Sequence, residues 1–189
     1  MDTRIFTKTL RGTFMEETSP YLEGIGHGKI GRIVVGKFKI GVDLLEGIEE
    51  LAKAESIRTG VILSGIGALE KGVFRDAKVI PPSYKMEDKY RLFVSVEKPL
   101  ELVSLSGWIA TSSDGNFNIH AHFLTTTVVD DKIVSLGGHL TQGTITSIKV
   151  VVVIGEIVDT NINAALDPTI NQVNLDFGDQ YHSSHNFNK

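Results

Sequence analysis

The sequence predicts an α+β domain: a mostly antiparallel β-sheet with one helix packed against it. Three observations carry this. A single stretch has clear helical periodicity. Many short apolar segments alternate with period two and are separated by turn residues. The chain has 189 residues and is 41% hydrophobic, enough to bury one substantial core. No internal repeat or low-complexity segment interrupts it.

Residues 1–28 are mixed and polar, with turn residues at Ser19-Pro20 and at Gly24, Gly26 and Gly28. They read as an N-terminal arm that packs late or on a neighbour. The domain proper is expected over 29–178, and 179–189, "DQYHSSHNFNK", as a frayed tail. "RIVVGKFKIG" (32–41) alternates around Gly36 and reads as one bulged strand or two short ones. "DLLEGIEELAKAESI" is the helix. Asp43 caps it and Glu46 completes a capping-box-like pair. Leu44, Leu45, Ile48, Leu51, Ala52 and Glu55 fall on one stripe.

"GVILSGIGAL" (60–69) reads as a buried strand running into glycine turns, and "KGVFRDA" as another strand. Residues 78–90 carry Pro81-Pro82 and charges and form the longest loop, a place where function often resides. "YRLFVSVEKPLELVSLSGWIAT" gives two strands turning near Lys98-Pro99. "NFNIHAHFLTTTVV" is a strand after a turn at 113–115. "KIVSLGGHLTQGTITSIKVVVVIGEIV" gives a short strand, a Gly-Gly corner and a long strand. Beyond Asp159 periodicity is lost, and "NAALDPTINQVNLDFG" reads as one helical turn plus extended chain.

Composition narrows the function classes. There are no cysteines, so neither a disulfide framework nor a thiolate metal site is possible. The N-terminal residues lack the apolar run of a secretory signal, and no stretch of about 18 apolar residues occurs. A soluble, cytoplasmic protein without a membrane partner is expected. The net charge of −4 lacks the broad basic field that drives non-specific nucleic-acid binding.

The histidines carry the chemistry. Alternation places Ile119, Ala121 and Phe123 on one face of their strand and His120, His122 and Leu124 on the other. The two imidazoles, about 7 Å apart at Cα, can converge on one ion. His139 can supply a third ligand, with Gly137-Gly138 turning its ring toward the strand. Three imidazoles with an open fourth position suit a divalent metal, zinc by default of ligand type. The competing reading is three partly buried histidines hydrogen-bonded to neighbouring strands. Glu101 and Glu156 are candidate further ligands or acid/base groups, or else solvated carboxylates. Arg75 either holds an anion beside the site or pairs with Asp76. His27, His182 and His185 read as exposed. Gly65-Ile66-Gly67 is no dinucleotide fingerprint; there is no P-loop and no nucleophile elbow.

Four blocks in this order, "GVILSGIGAL", "LELVSLSGWIA", "GNFNIHAHFL" and "SLGGHLTQGTI", followed by the valine-rich strand, resemble the plants-and-prokaryotes conserved (PPC) domain over about 30–158. The resemblance implies an α+β fold with a helix against a curved, mostly antiparallel sheet, shared with acetolactate decarboxylase, and assembly as a homotrimer. It implies a metal on His120, His122 and His139, as in prokaryotic members. The DNA-binding label of the family comes largely from plant members with an AT-hook, and here only a lone Arg-Gly in "LRGTF" stands in that place.

Three functions are therefore weighed. The first is a three-histidine metal site that binds or converts a small molecule. The second is a DNA-binding or regulatory module contacting DNA through Lys29, Arg32, Lys37 and Lys39, which otherwise form a solvated strand edge. The third is a structural trimer whose histidines have no chemistry.

Overall fold

The computed structural model describes residues 21–178. The helix forms where the stripe predicts it: α1 spans Leu44–Ala54. Asp43 accepts from the Glu46 backbone N–H at 3.1 Å through Oδ1, and from the Gly143 N–H at 2.6 Å through Oδ2. One carboxylate thus caps the helix and ties it to a distant loop. Leu44, Ile48 and Ala52 are fully buried, with Leu45 and Leu51 packed beside them. Glu55 leaves the stripe and pairs with Arg32.

Among the described residues, ten strands accompany the helix. They are β1 (Lys29–Lys37), β2 (Thr59–Ala77), β3 (Arg91–Val96), β4 (Leu100–Thr111), β5 (Phe117–Val129), β6 (Lys132–Leu140), β7 (Ile145–Thr146), β8 (Val151–Val158), β9 (Asn163–Asp167) and β10 (Gln172–Asp176). The main sheet runs β1-β8-β2-β4-β5-β6, with β3 and β7 paired to β2. Among the described residues, these strands pair antiparallel throughout.

β2 organises the sheet. The two strands expected over 60–77 are one strand of 19 residues, because its glycines mark close packing against Leu105 and Val150 rather than turns. Its first part pairs with β4, while Phe74 and Arg75 pair with Leu140 and His139 of β6. β2, β4, β5 and β6 therefore close on themselves. Inside lies the core, where Phe74 stacks on Phe123 at 4.6 Å among Leu69, Leu100, Leu105, Ile109 and Leu140.

Three expectations change. "LGGHL" makes no corner: Gly137 and Gly138 lie inside β6, and neither has a positive φ. Residues 163–178 hold not a helical turn but the β9–β10 hairpin, turned through 168–171 with Asn171 at φ 55°. Residues 24–26 of the expected arm pack on their own chain, against Phe177 and Ile162. The tail 179–189, with His182 and His185, and residues 1–20 of the arm lie outside the described residues.

Candidate metal centre

Strand register assembles the histidines. His122 on β5 lies directly across from His139 on β6, and His139 lies directly across from Arg75 on β2. On the other side His122 faces Ser106 of β4, and His120 faces Trp108. Directly opposed residues share a face with Cβ atoms about 4.5–5.5 Å apart. The result is a row across four strands, Arg75–His139–His122–Ser106, with His120 and Trp108 one step along.

Gly138 has a part in this, but through space rather than angle. A Cβ there would lie 3.1 Å from Asp76 Oδ2 and 3.4 Å from the Arg75 carbonyl oxygen. Its lack of a side chain lets β6 come close to the end of β2.

The three side chains each offer one nitrogen, all within 4.8 Å of one another. His120 Nε2 and His122 Nε2 are 3.2 Å apart. Two nitrogens on one tetrahedral zinc, each about 2.0–2.1 Å from the ion, would be separated by about 3.3 Å. The donor set is three imidazoles with no carboxylate, and it fits a divalent ion with an open position.

Burial and nearby charge hold two of the rings, those of His120 and His139, in the neutral, ligating form. Burial lowers the His120 pKa from its ordinary value, and the charges of His122 and Arg75 add to this. His139 is lowered to about 3, first by burial, then by Arg75, its histidine neighbours and Arg91. The unfolded chain takes up a proton below about 6.5 that folded His139 refuses. Metal-free protein should therefore lose stability as pH falls from about 6.5 toward 3, beyond what its carboxylates contribute. As pH falls from about 6.5 to about 4.5, the Tm of wild type should drop relative to that of His139→Gln. Parallel curves would show that His139 protonates freely in the fold.

The row opens into a cleft of about 890 Å³. Its walls include Arg75, Arg91, Phe93, Trp108 and Asn118, with Met86 and Asp88 from the 78–90 loop and Ile170, Gln172 and Asn174 from the hairpin. The hairpin is bonded to that loop: Met86 N–H donates to the Ile170 carbonyl at 2.9 Å, and Gln172 Nε2 to the Met86 carbonyl at 3.0 Å. Trp108, Arg91, Gln172 and Asn174 were not singled out by sequence. Trp108 had a visible cue, since it stands two residues after Ser106 on an alternating strand. The other three depend on pairings that no local pattern shows.

Two sequence candidates stand elsewhere in the chain. Glu101 faces Thr126 and lines a separate groove with Glu70 and Glu97. It is five residues from Ser106 along β4, about 17 Å. Glu156 lies on β8 and accepts from Arg32 Nε at 2.9 Å. Neither lines the histidine cleft. Arg75 makes no ion pair with Asp76, since successive strand residues point to opposite faces. The basic cluster is partly committed: Lys29 pairs with Asp159 at 2.7 Å, and Arg32 bridges Glu55 and Glu156. Lys37 and Lys39 have no such pair among the described residues.

The profile of the Plants and Prokaryotes Conserved (PCC) domain matches residues 25–158, which contain β1 to β8 and all three histidines. The chain belongs to this family. Solved structures share the fold of this PPC protein at low identity. A metal-containing protein from Archaeoglobus fulgidus is 24% identical with a TM-score of 0.62, over 78% of this chain and 95% of that one. A PPC protein from Pyrococcus horikoshii is 24% identical with a TM-score of 0.63, over 79% and 95%. A protein from Bacteroides thetaiotaomicron, provisionally described as DNA-binding, is 21% identical with a TM-score of 0.62, over 79% and 94%. No curated protein matches the chain. The β9–β10 hairpin lies beyond the matched domain.

Proposed function

We propose that this PPC protein holds a divalent metal, zinc by ligand type, on His120, His122 and His139, and binds or converts a small molecule in the cleft above it. The observation that carries this is the convergence of three imidazole nitrogens within 4.8 Å at the floor of an open cleft. Burial and cationic neighbours keep two of the rings unprotonated, so the ligand form needs no proton release near neutral pH. Three neutral ligands leave the ion its full charge, which would polarise a bound carbonyl or acidify a bound water. The relative from Archaeoglobus fulgidus that contains metal supports the reading.

Leu63, Ile66, Val103 and Leu124 are exposed on the sheet, a patch suited to burial against another copy. We take the working state to be a homotrimer, and the location to be cytoplasmic. Among the described residues no helix is long and apolar enough to cross a membrane.

DNA binding is the second reading, favoured by the description of the relative from Bacteroides thetaiotaomicron. The commitment of Lys29 and Arg32 to carboxylates weakens it for this chain.

Elemental analysis of untagged protein, purified without chelator, tests the metal. About one zinc per chain is expected. Trp108 is the only tryptophan in the chain, and its ring centroid lies 5.4 Å from that of His120. Its fluorescence should therefore change as metal is added back to chelator-treated protein. No metal, and no response of Trp108 to added zinc, would remove the metal reading.

A further inference from the structure

The same cleft carries a second feature at the end of the histidine row. Arg75 faces Phe93 across the β2–β3 pair, so Arg91, two residues before Phe93, is its diagonal neighbour on the same face. Diagonal neighbours are about 7–8 Å apart at Cα, within reach of two long side chains. Both arginines line the cleft. Among the described residues, no carboxylate pairs with the Arg75 guanidinium.

Arg91 is held in place. It donates to Asp88 Oδ1 at 2.8 Å and to the side-chain oxygen of Gln172. Gln172 is itself bonded to the Met86 carbonyl. Two of the five N–H groups of Arg91 are used by these contacts. The carboxylates at this end of the cleft are placed otherwise: Asp88 is bonded to Arg91, and Asp76 lies over the backbone of Gly138.

We propose that Arg75 and Arg91 form an anion-binding shelf facing the three histidines, and that the ligand is a short dicarboxylate. One carboxylate would sit on the ion and the other on the two guanidiniums. Gln172 is the positioning residue, supplied by the hairpin beyond the family domain. The argument is one of charge balance. A half-buried guanidinium beside a second one, with no carboxylate of its own, is stable when an anion is delivered to it. Direct register puts Arg75 next to His139, so the span from ion to shelf is short. The burial of Arg75 and the nearby charge of Arg91 both act against its protonated form, the more distant Asp88 carboxylate offsets them only in part, and a bound anion would relieve the remainder. This inference rests on the metal reading and adds the ligand class to it.

Calorimetric titration of the full-length, zinc-loaded protein with malonate and with acetate tests the shelf. Wild type should bind malonate at least about tenfold more tightly than acetate, the scale of an added charged hydrogen-bond pair. Arg91→Gln and Gln172→Leu should each lower malonate affinity about tenfold and leave acetate and zinc content unchanged. Arg91→Lys should keep most of the preference. If malonate and acetate bind alike, or if both Arg91→Gln and Gln172→Leu keep the wild-type preference with one zinc per chain, the dicarboxylate proposal falls and the metal reading stands. If zinc does not bind, the metal reading falls. Malonate binding to zinc-free protein that is lost in Arg75→Gln would then support the shelf, and its absence would overturn it.

Discussion

Replacing His122 with alanine should empty the metal centre without unfolding the protein. His122 sits in the middle of the cross-strand row, opposite His139 and on the same face as His120. Its removal leaves two imidazoles, too few for the three-ligand site that zinc uses with an open position. Loss of a residue that merely supports a ligand lowers metal affinity about 10–100-fold, so loss of a ligand should exceed about 100-fold. The side chain is exposed, and exposed substitutions usually shift stability by no more than about 0.5 kcal/mol. The expected result is a fall from about one zinc per chain to background, loss of the Trp108 response, and an unchanged melting curve in metal-free protein. A variant that still carries one zinc per chain would show that the ion, if present, is held elsewhere.

Gly107→Ala should be the most damaging small substitution near the site. Gly107 lies on β4 between Ser106 and Trp108, directly across from Ala121. A Cβ there would stand 2.1 Å from the His120 carbonyl oxygen and 2.6 Å from the Ala121 Cα. Both are backbone atoms, so no rotamer change relieves the clash, and β4 must move away from β5. Overpacking typically costs about 1–3 kcal/mol, and a clash with backbone belongs at or above the top of that range. For a chain of this size, about 3 kcal/mol lowers Tm by about 6–12 °C. Because His120 and His122 hang from β5, the strand that loses this contact, zinc affinity should fall as well. Ser106→Ala, at the exposed neighbouring position, is the control and should melt within about 2 °C of wild type. If Gly107→Ala melts like this control, the close contact between β4 and β5 is wrong.

The histidine cluster is legible in the sequence because its pattern is local. Alternation around Ala121 is enough to put His120 and His122 on one face, and the fully buried Ala121 confirms the choice of face. His139 was found for a partly mistaken reason. The Gly-Gly pair was read as a corner, whereas β6 runs straight through it and His139 arrives by register. Arg91 and Gln172 were beyond local reading, since their proximity to Arg75 follows from two strand pairings far apart in the chain. The hairpin was missed although "DPTIN" carries turn chemistry, a proline and an asparagine that adopts positive φ, between the alternating Ala164/Leu166 and Val173/Leu175. Glu101 and Glu156 show the converse. A carboxylate on a strand is easily named, but only the register says which groove it enters.

The closure of β2 onto both β4 and β6 has a consequence for folding. Joining Arg75 to His139 means closing a long stretch of chain, which is slow and entropically unfavourable until its contacts form. His120 and His122 lie together as soon as β5 is extended, but His139 joins them only when β6 has docked and β2 has met it. A half-folded chain can offer an ion two ligands at most. An ion that needs three binds the finished ring alone, and by mass action at 100 times its Kd it would add about 2.7 kcal/mol to that state. In this protein, occupancy of the centre would report on the completion of the fold.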